Sequence, residues 1–132
     1  MKKQKKKFLA ALCFGILSIA LFSNLVFALY PFNATFNGNS GTQTTQIRTK
    51  DNSYRYAYVE VTGFNTNGGS SSVSFKALNG SDFRTETKTV SGKTSVKLYY
   101  VSDLVPVKGT GKARLNISAG SNVIGVGGYW AP

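Results

Sequence analysis

Acid–base chemistry in this chain can draw on five carboxylates, Asp51, Glu60, Asp82, Glu86 and Asp103. The sequence has no histidine and a single cysteine. That composition removes the serine–histidine–aspartate triad, the cysteine–histidine pair, and imidazole ligation of zinc, copper or haem. Glycoside hydrolysis needs only two carboxylates held a few ångströms apart with separated pKa values, but the settings of these five argue against it. Asp51, Asp82 and Asp103 fall in turn-forming stretches, where a short carboxylate bonds nearby backbone. Glu86 shares a strand face with Arg84 and Lys88, a solvated charge stripe, and only Glu60 lies among large side chains. Asp51-Asn52-Ser53 and Asn79-Gly80-Ser81-Asp82 each offer one carboxylate, which is less than a calcium loop needs. We read the chain as non-enzymatic, with no cofactor and no metal.

Aromatic side chains are the other chemistry-bearing group. Tyr54, Tyr56 and Tyr58 stand two residues apart, so in a strand they form a ladder on one face. Exposed tyrosines stack on sugar rings and suit interfaces, because they present large area at low entropic cost. The same ladder is compatible with packing beneath a second sheet with its hydroxyls at the rim. Tyr54, Tyr56 and Tyr58, with Arg55 and with Lys97 and Tyr99 of a later strand, make the candidate binding surface.

The positioning elements begin after a leader. Residues 1–7 carry five of the 16 cations, and an apolar run from Phe8 to Phe22 follows, broken only by Gly15 and Ser18. Val26-Phe27-Ala28 places small residues where a signal peptidase needs them, so residues 1–28 read as a helical secretory signal passed to the Sec machinery and cleaved after Ala28. Retention as an uncleaved anchor is the competing reading. Cys13 lies inside the apolar run with Leu12 before it, which is not a lipoprotein pattern, and it leaves with the signal. Residues 29–132 then hold 11 cations against five acids and no cysteine. A domain of that size must hold together by burial alone. Its positive field attracts anionic envelope polymers or lipid headgroups, although lysines on edges and turns also blunt aggregation. No nucleic-acid-binding motif is present, so no dedicated nucleic-acid partner is expected.

From Tyr30 onward the apolar period is two. Strands are expected over Tyr30–Phe36, Thr42–Thr49, Tyr54–Phe64, Val73–Ala77, Phe83–Val90, Ser95–Tyr100, Ala113–Ala119 and Val123–Trp130, separated by turns such as Asn37-Gly38 and Asn79-Gly80. In Tyr54–Phe64 the face of Ala57, Val59 and Val61 is the inward one, and the tyrosines lie outward or under a loop. Seven to eight short strands with no helical stripe predict one all-β domain, an antiparallel β-sandwich. Its last strand should pair with an earlier one and tuck Trp130 into the core or its edge.

Three stretches carry a resemblance: Val96-Lys97-Leu98-Tyr99-Tyr100, residues 109–116, and Gly127-Gly128-Tyr129-Trp130-Ala131-Pro132. The chain resembles small exported β-rich proteins of Gram-positive bacteria, a family of unknown function with a signal peptide and a closing Gly-x-Trp segment. The resemblance implies an extracellular location and a compact β fold, and it implies no catalytic residue. Some lactococcin-type bacteriocins are similar in size, export and lack of cysteine, but this chain lacks their histidine-rich opening. The expected function is a secreted, non-enzymatic binding or effector protein, released or loosely wall-associated and bacteriocin-like in one form. The alternative is an adhesive surface or matrix protein assembling through strand edges.

Overall fold

The computed structural model describes residues 28–79, 83–101 and 105–132. The expected leader lies outside the described residues apart from Ala28, whose backbone N–H donates to the Asp51 carboxylate at 2.7 Å. The period-two stretches form ten strands: β1 (Tyr30–Thr35), β2 (Gly41–Thr44), β3 (Arg48–Thr49), β4 (Tyr56–Thr66), β5 (Val73–Asn79), β6 (Phe83–Arg84), β7 (Lys88–Val90), β8 (Thr94–Tyr99), β9 (Lys112–Ala119) and β10 (Val123–Ala131). No helix occurs among the described residues.

Two antiparallel sheets result. One runs β1-β10-β4-β8; the other runs β2-β9-β5-β6, with β3 also on β9 and β7 also on β5. Alternation gives each strand one apolar face, and the two apolar faces meet. Val73, Phe75 and Ala77 of β5 and Leu115 and Ile117 of β9 join Ala57, Val59 and Val61 of β4 and Val126 and Trp130 of β10 in one core. Across the layers, Phe32 of β1 meets Phe75 of β5 edge to face at 5.8 Å. Trp130 is fully buried, on a strand held between β1 and β4. The tyrosine face of β4 is the outward one.

Two expected strands are broken, each at a threonine. In Thr42–Thr49 the Thr45 hydroxyl accepts the Leu115 N–H at 3.0 Å. The side chain thus takes the place of a backbone partner, and the ladder to β9 resumes only at β3. In Phe83–Val90 the buried Thr85 hydroxyl accepts the Ala77 N–H at 3.0 Å and donates to the Glu86 carbonyl at 2.8 Å. The next backbone donor, Glu86 N–H, turns to the Tyr99 carbonyl of the other sheet, and Val101 N–H bonds the Arg84 carbonyl. This segment stitches the sandwich shut along the β8 side. Threonine hydroxyls that compete for backbone groups are what interrupt both runs.

Candidate functional site

Strand register assembles an aromatic cluster on the outer face of the four-stranded sheet. Tyr56 of β4 lies opposite Tyr99 of β8, and Tyr58 opposite Lys97. Tyr54, just before β4, stacks on Tyr56 with ring centroids 5.1 Å apart and an interplanar angle of 19°. Tyr99 meets Tyr56 edge-on at 5.6 Å. The Lys97 ammonium lies 4.8 Å from the Tyr56 ring centroid, a cation–π contact diagonal to its strand partner. Tyr58 donates its hydroxyl to Ser95 Oγ at 3.1 Å. Tyr99 stays 51% exposed and Tyr54 36%. These rings form one contiguous cluster, with the Lys97 ammonium held over Tyr56.

Five of the six residues singled out from the sequence are thus brought together by register. Arg55 is exposed beside them, and its carbonyl accepts the Tyr100 N–H at 3.1 Å. Tyr129 extends the same face. It lies on β10 opposite Pro31 of β1 on one side and Glu60 of β4 on the other, and it is 44% exposed.

Beyond Tyr129 the face falls away. Gly127 pairs with Gly63 of β4 and with Asn33 of β1, in a depression of about 400 Å³ whose rim includes Asn33, Thr62, Asn65 and Tyr129. The β4–β10 register shifts between Gly127 and Gly128, leaving Thr62 as the extra residue of a bulge. At this bulge a Cβ on Gly128 would lie 1.8 Å from the Glu60 carbonyl oxygen, so close backbone approach requires glycine there. Gly63 is different: a Cβ there would meet nothing nearer than the Gly127 nitrogen at 4.0 Å. An interior strand glycine costs about 0.5–1 kcal/mol relative to alanine, and this one directly follows the bulge residue Thr62 and leaves the backbone uncovered.

A buried polar node lies at the end of the molecule near the aromatic cluster. Lys50 is fully buried, unlike the edge and turn lysines expected to blunt aggregation. Its ammonium donates to Asn52 Oδ1 and to the Pro132 carbonyl, both at 2.9 Å, and sits 5.4 Å from the Tyr100 ring centroid. Asn52 Nδ2 donates to the same Pro132 carbonyl at 3.1 Å, and Asn52 Oδ1 also accepts the Tyr54 N–H at 3.0 Å. Residues 50–54 and the segment after β10 are therefore tied through one oxygen. Burial lowers the Lys50 pKa to about 8 against the opposing pull of Asp51, so the group is mainly charged at neutral pH. Burial also pushes the Tyr100 phenol above its usual range. A lysine in a polar turn sequence gives no signal of burial, because its partner oxygen lies 82 residues away.

Among the described residues no cluster of three metal-ligating side chains occurs. No family model, curated protein or solved structure matches the chain. The arrangement can stack flat rings, hold an anion near Lys97 and accommodate a ligand in the glycine depression.

Proposed function

We propose that the protein is an exported, non-enzymatic binding or effector protein of the bacterial cell exterior, whose outer β4–β8 face engages anionic envelope polymers or lipid headgroups. The supporting observation is the cluster of Tyr54, Tyr56 and Tyr99 with Lys97 above it, on a sheet face where packing requires no aromatic side chain. Open ring faces bind flat or weakly hydrated surfaces, and a nearby cation selects negative ones. A bacteriocin-like antagonist is one form of such an effector. An assembling, adhesive role would instead use the strands that end the two sheets, β1 and β8 in one and β2 and β6 in the other, with β1 the least suited. Pro31 in that strand lacks an N–H and makes it a poor template.

The test is retention on isolated Gram-positive cell walls across a salt series. Retention should fall as ionic strength rises, and the combined Tyr54→Ala, Lys97→Ala, Tyr99→Ala variant should lose it at low salt while remaining folded. Retention that ignores salt, or that survives the triple substitution, contradicts the proposal. Spontaneous polymers on size-exclusion chromatography would favour the adhesive role.

A further inference from the structure

We infer that the depression floored by Gly63 and Gly127 is a saccharide subsite, seating one uncharged sugar ring of a linear glycan that runs along β4 toward Lys97. The inference rests on the reading of this face as a binding surface and assigns it a substrate class.

Four observations carry it. First, the floor is bare backbone. Gly63 has room for a side chain and no left-handed backbone to excuse its absence. Strand glycines mark bulges and places where another group approaches the backbone, and Gly63, beside the bulge at Thr62, leaves the backbone open to such an approach. Second, the rim is neutral and rich in hydrogen-bonding groups: the Asn33 and Asn65 amides and the Thr62 hydroxyl are exposed around the floor. An amide presents a donor pair and an acceptor, which matches neighbouring sugar hydroxyls that both donate and accept. Third, Tyr129 borders the depression with 44% of its surface exposed, offering a ring face against the C–H face of a pyranose. Fourth, Glu60 lies opposite Tyr129 at the boundary and disfavours an anionic group at that point.

The remaining outward residues set the direction. From the depression, β4 presents Glu60, then Tyr58, then Tyr56 with Lys97 above it. At a strand rise of about 3.3 Å per residue, Gly63 to Tyr56 spans roughly 23 Å, enough for several linked sugars. An uncharged ring at the glycine end and an acidic substituent at the lysine end fit the two chemistries. A protein strand or a lipid bilayer would gain little from a neutral, amide-rimmed depression of this size.

Isotope-labelled protein titrated with neutral β-linked tetrasaccharides, chitotetraose and cellotetraose, tests this. Amide shifts should concentrate at Asn33, Gly63, Asn65, Gly127 and Tyr129. Gly63→Val fills the depression with a residue that suits a strand, and Tyr129→Ala removes the ring. Each should weaken binding roughly tenfold or more, with an unchanged or raised melting temperature for Gly63→Val showing that the fold is intact. Absence of shifts with both sugars, or wild-type affinity in both variants, overturns the subsite. Wall retention is read in parallel. If it is lost in the Tyr54, Lys97, Tyr99 triple variant but unaffected by Gly63→Val, the binding face stands and the subsite fails. Sugar-induced shifts in a protein that ignores cell walls would preserve the subsite and remove the envelope reading.

Discussion

The two outer faces of the sandwich are built by the same alternation and yet differ in what they leave unsatisfied. On the six-stranded sheet, Thr42, Ser118, Ser74 and Thr89 lie in one row across β2, β9, β5 and β7. Their hydroxyls pair with each other, Thr42 with Ser118 at 2.9 Å and Ser74 with Thr89 at 2.8 Å. That row satisfies its own hydroxyls, and the face around it carries Lys76, Lys112, Arg114 and Asn116, with no aromatic ring among them. The four-stranded sheet carries stacked tyrosines, a lysine over a ring, and a depression where side chains are missing. Its rings contact one another and Lys97, and Tyr99 and Tyr129 still keep 51% and 44% of their surface exposed. Because the inner faces are alike in burial and chemistry, any difference in binding must come from the outer ones.

The most disruptive test removes what both faces share. Trp130 is fully buried beneath them, and Trp130→Ala should cost about 3–5 kcal/mol in chemical denaturation and abolish binding through loss of the fold. A cost below about 1 kcal/mol would mean that the core is not common to the two sheets.

The next largest effect separates the sheets by pH. The folded-state pKa of Lys50 lies near 8, below its ordinary 10.5, so between those values the unfolded chain binds more protons and stability rises with pH. Below about pH 8 this contribution is flat. The Tyr100 phenol is shifted the other way, so above its ordinary value of 10.0 the unfolded chain ionises first and stability falls. The melting temperature should therefore climb by several degrees from pH 8 to a maximum near pH 10 and then decline. Lys50→Met should remove the rising limb. A wild-type profile that is flat from pH 8 to pH 10 would contradict the burial of this ammonium.

Smaller effects separate the outer faces themselves. Tyr99→Ala should weaken wall retention several-fold while changing stability by no more than about 1 kcal/mol. On the opposite sheet, Thr42→Val with Ser118→Ala removes a solvent-accessible hydroxyl pair. It should cost about 0.5–1 kcal/mol and leave retention at the wild-type level. Equal loss of retention from both faces would end the contrast.

The legibility of this fold was uneven for physical reasons. Inward residues such as Val59, Val61, Phe75, Leu115 and Ile117 were evident, because alternation along a strand is local and burial follows it. The tyrosine ladder was equally visible, but which neighbours would complete it depended on pairing β4 with β8. Thr45 and Thr85 look like ordinary strand residues, and only their captured backbone N–H groups reveal why two strands break. Gly63 and Gly127 lie far apart in the chain, and their meeting depends on a β10 that inserts between β1 and β4.

Local chemistry alone therefore determined the all-β class, the identity of the core-facing residues and the aromatic character of one strand face, since each depends on side-chain spacing within a few residues. Tertiary structure decided the burial of Lys50 against Pro132, the contact of Tyr56 with Tyr99 and the opposition of Gly63 to Gly127. These juxtapositions join segments far apart in the chain through non-consecutive strand pairing. Their register is set by how two apolar faces close on each other, and no short stretch of residues encodes it.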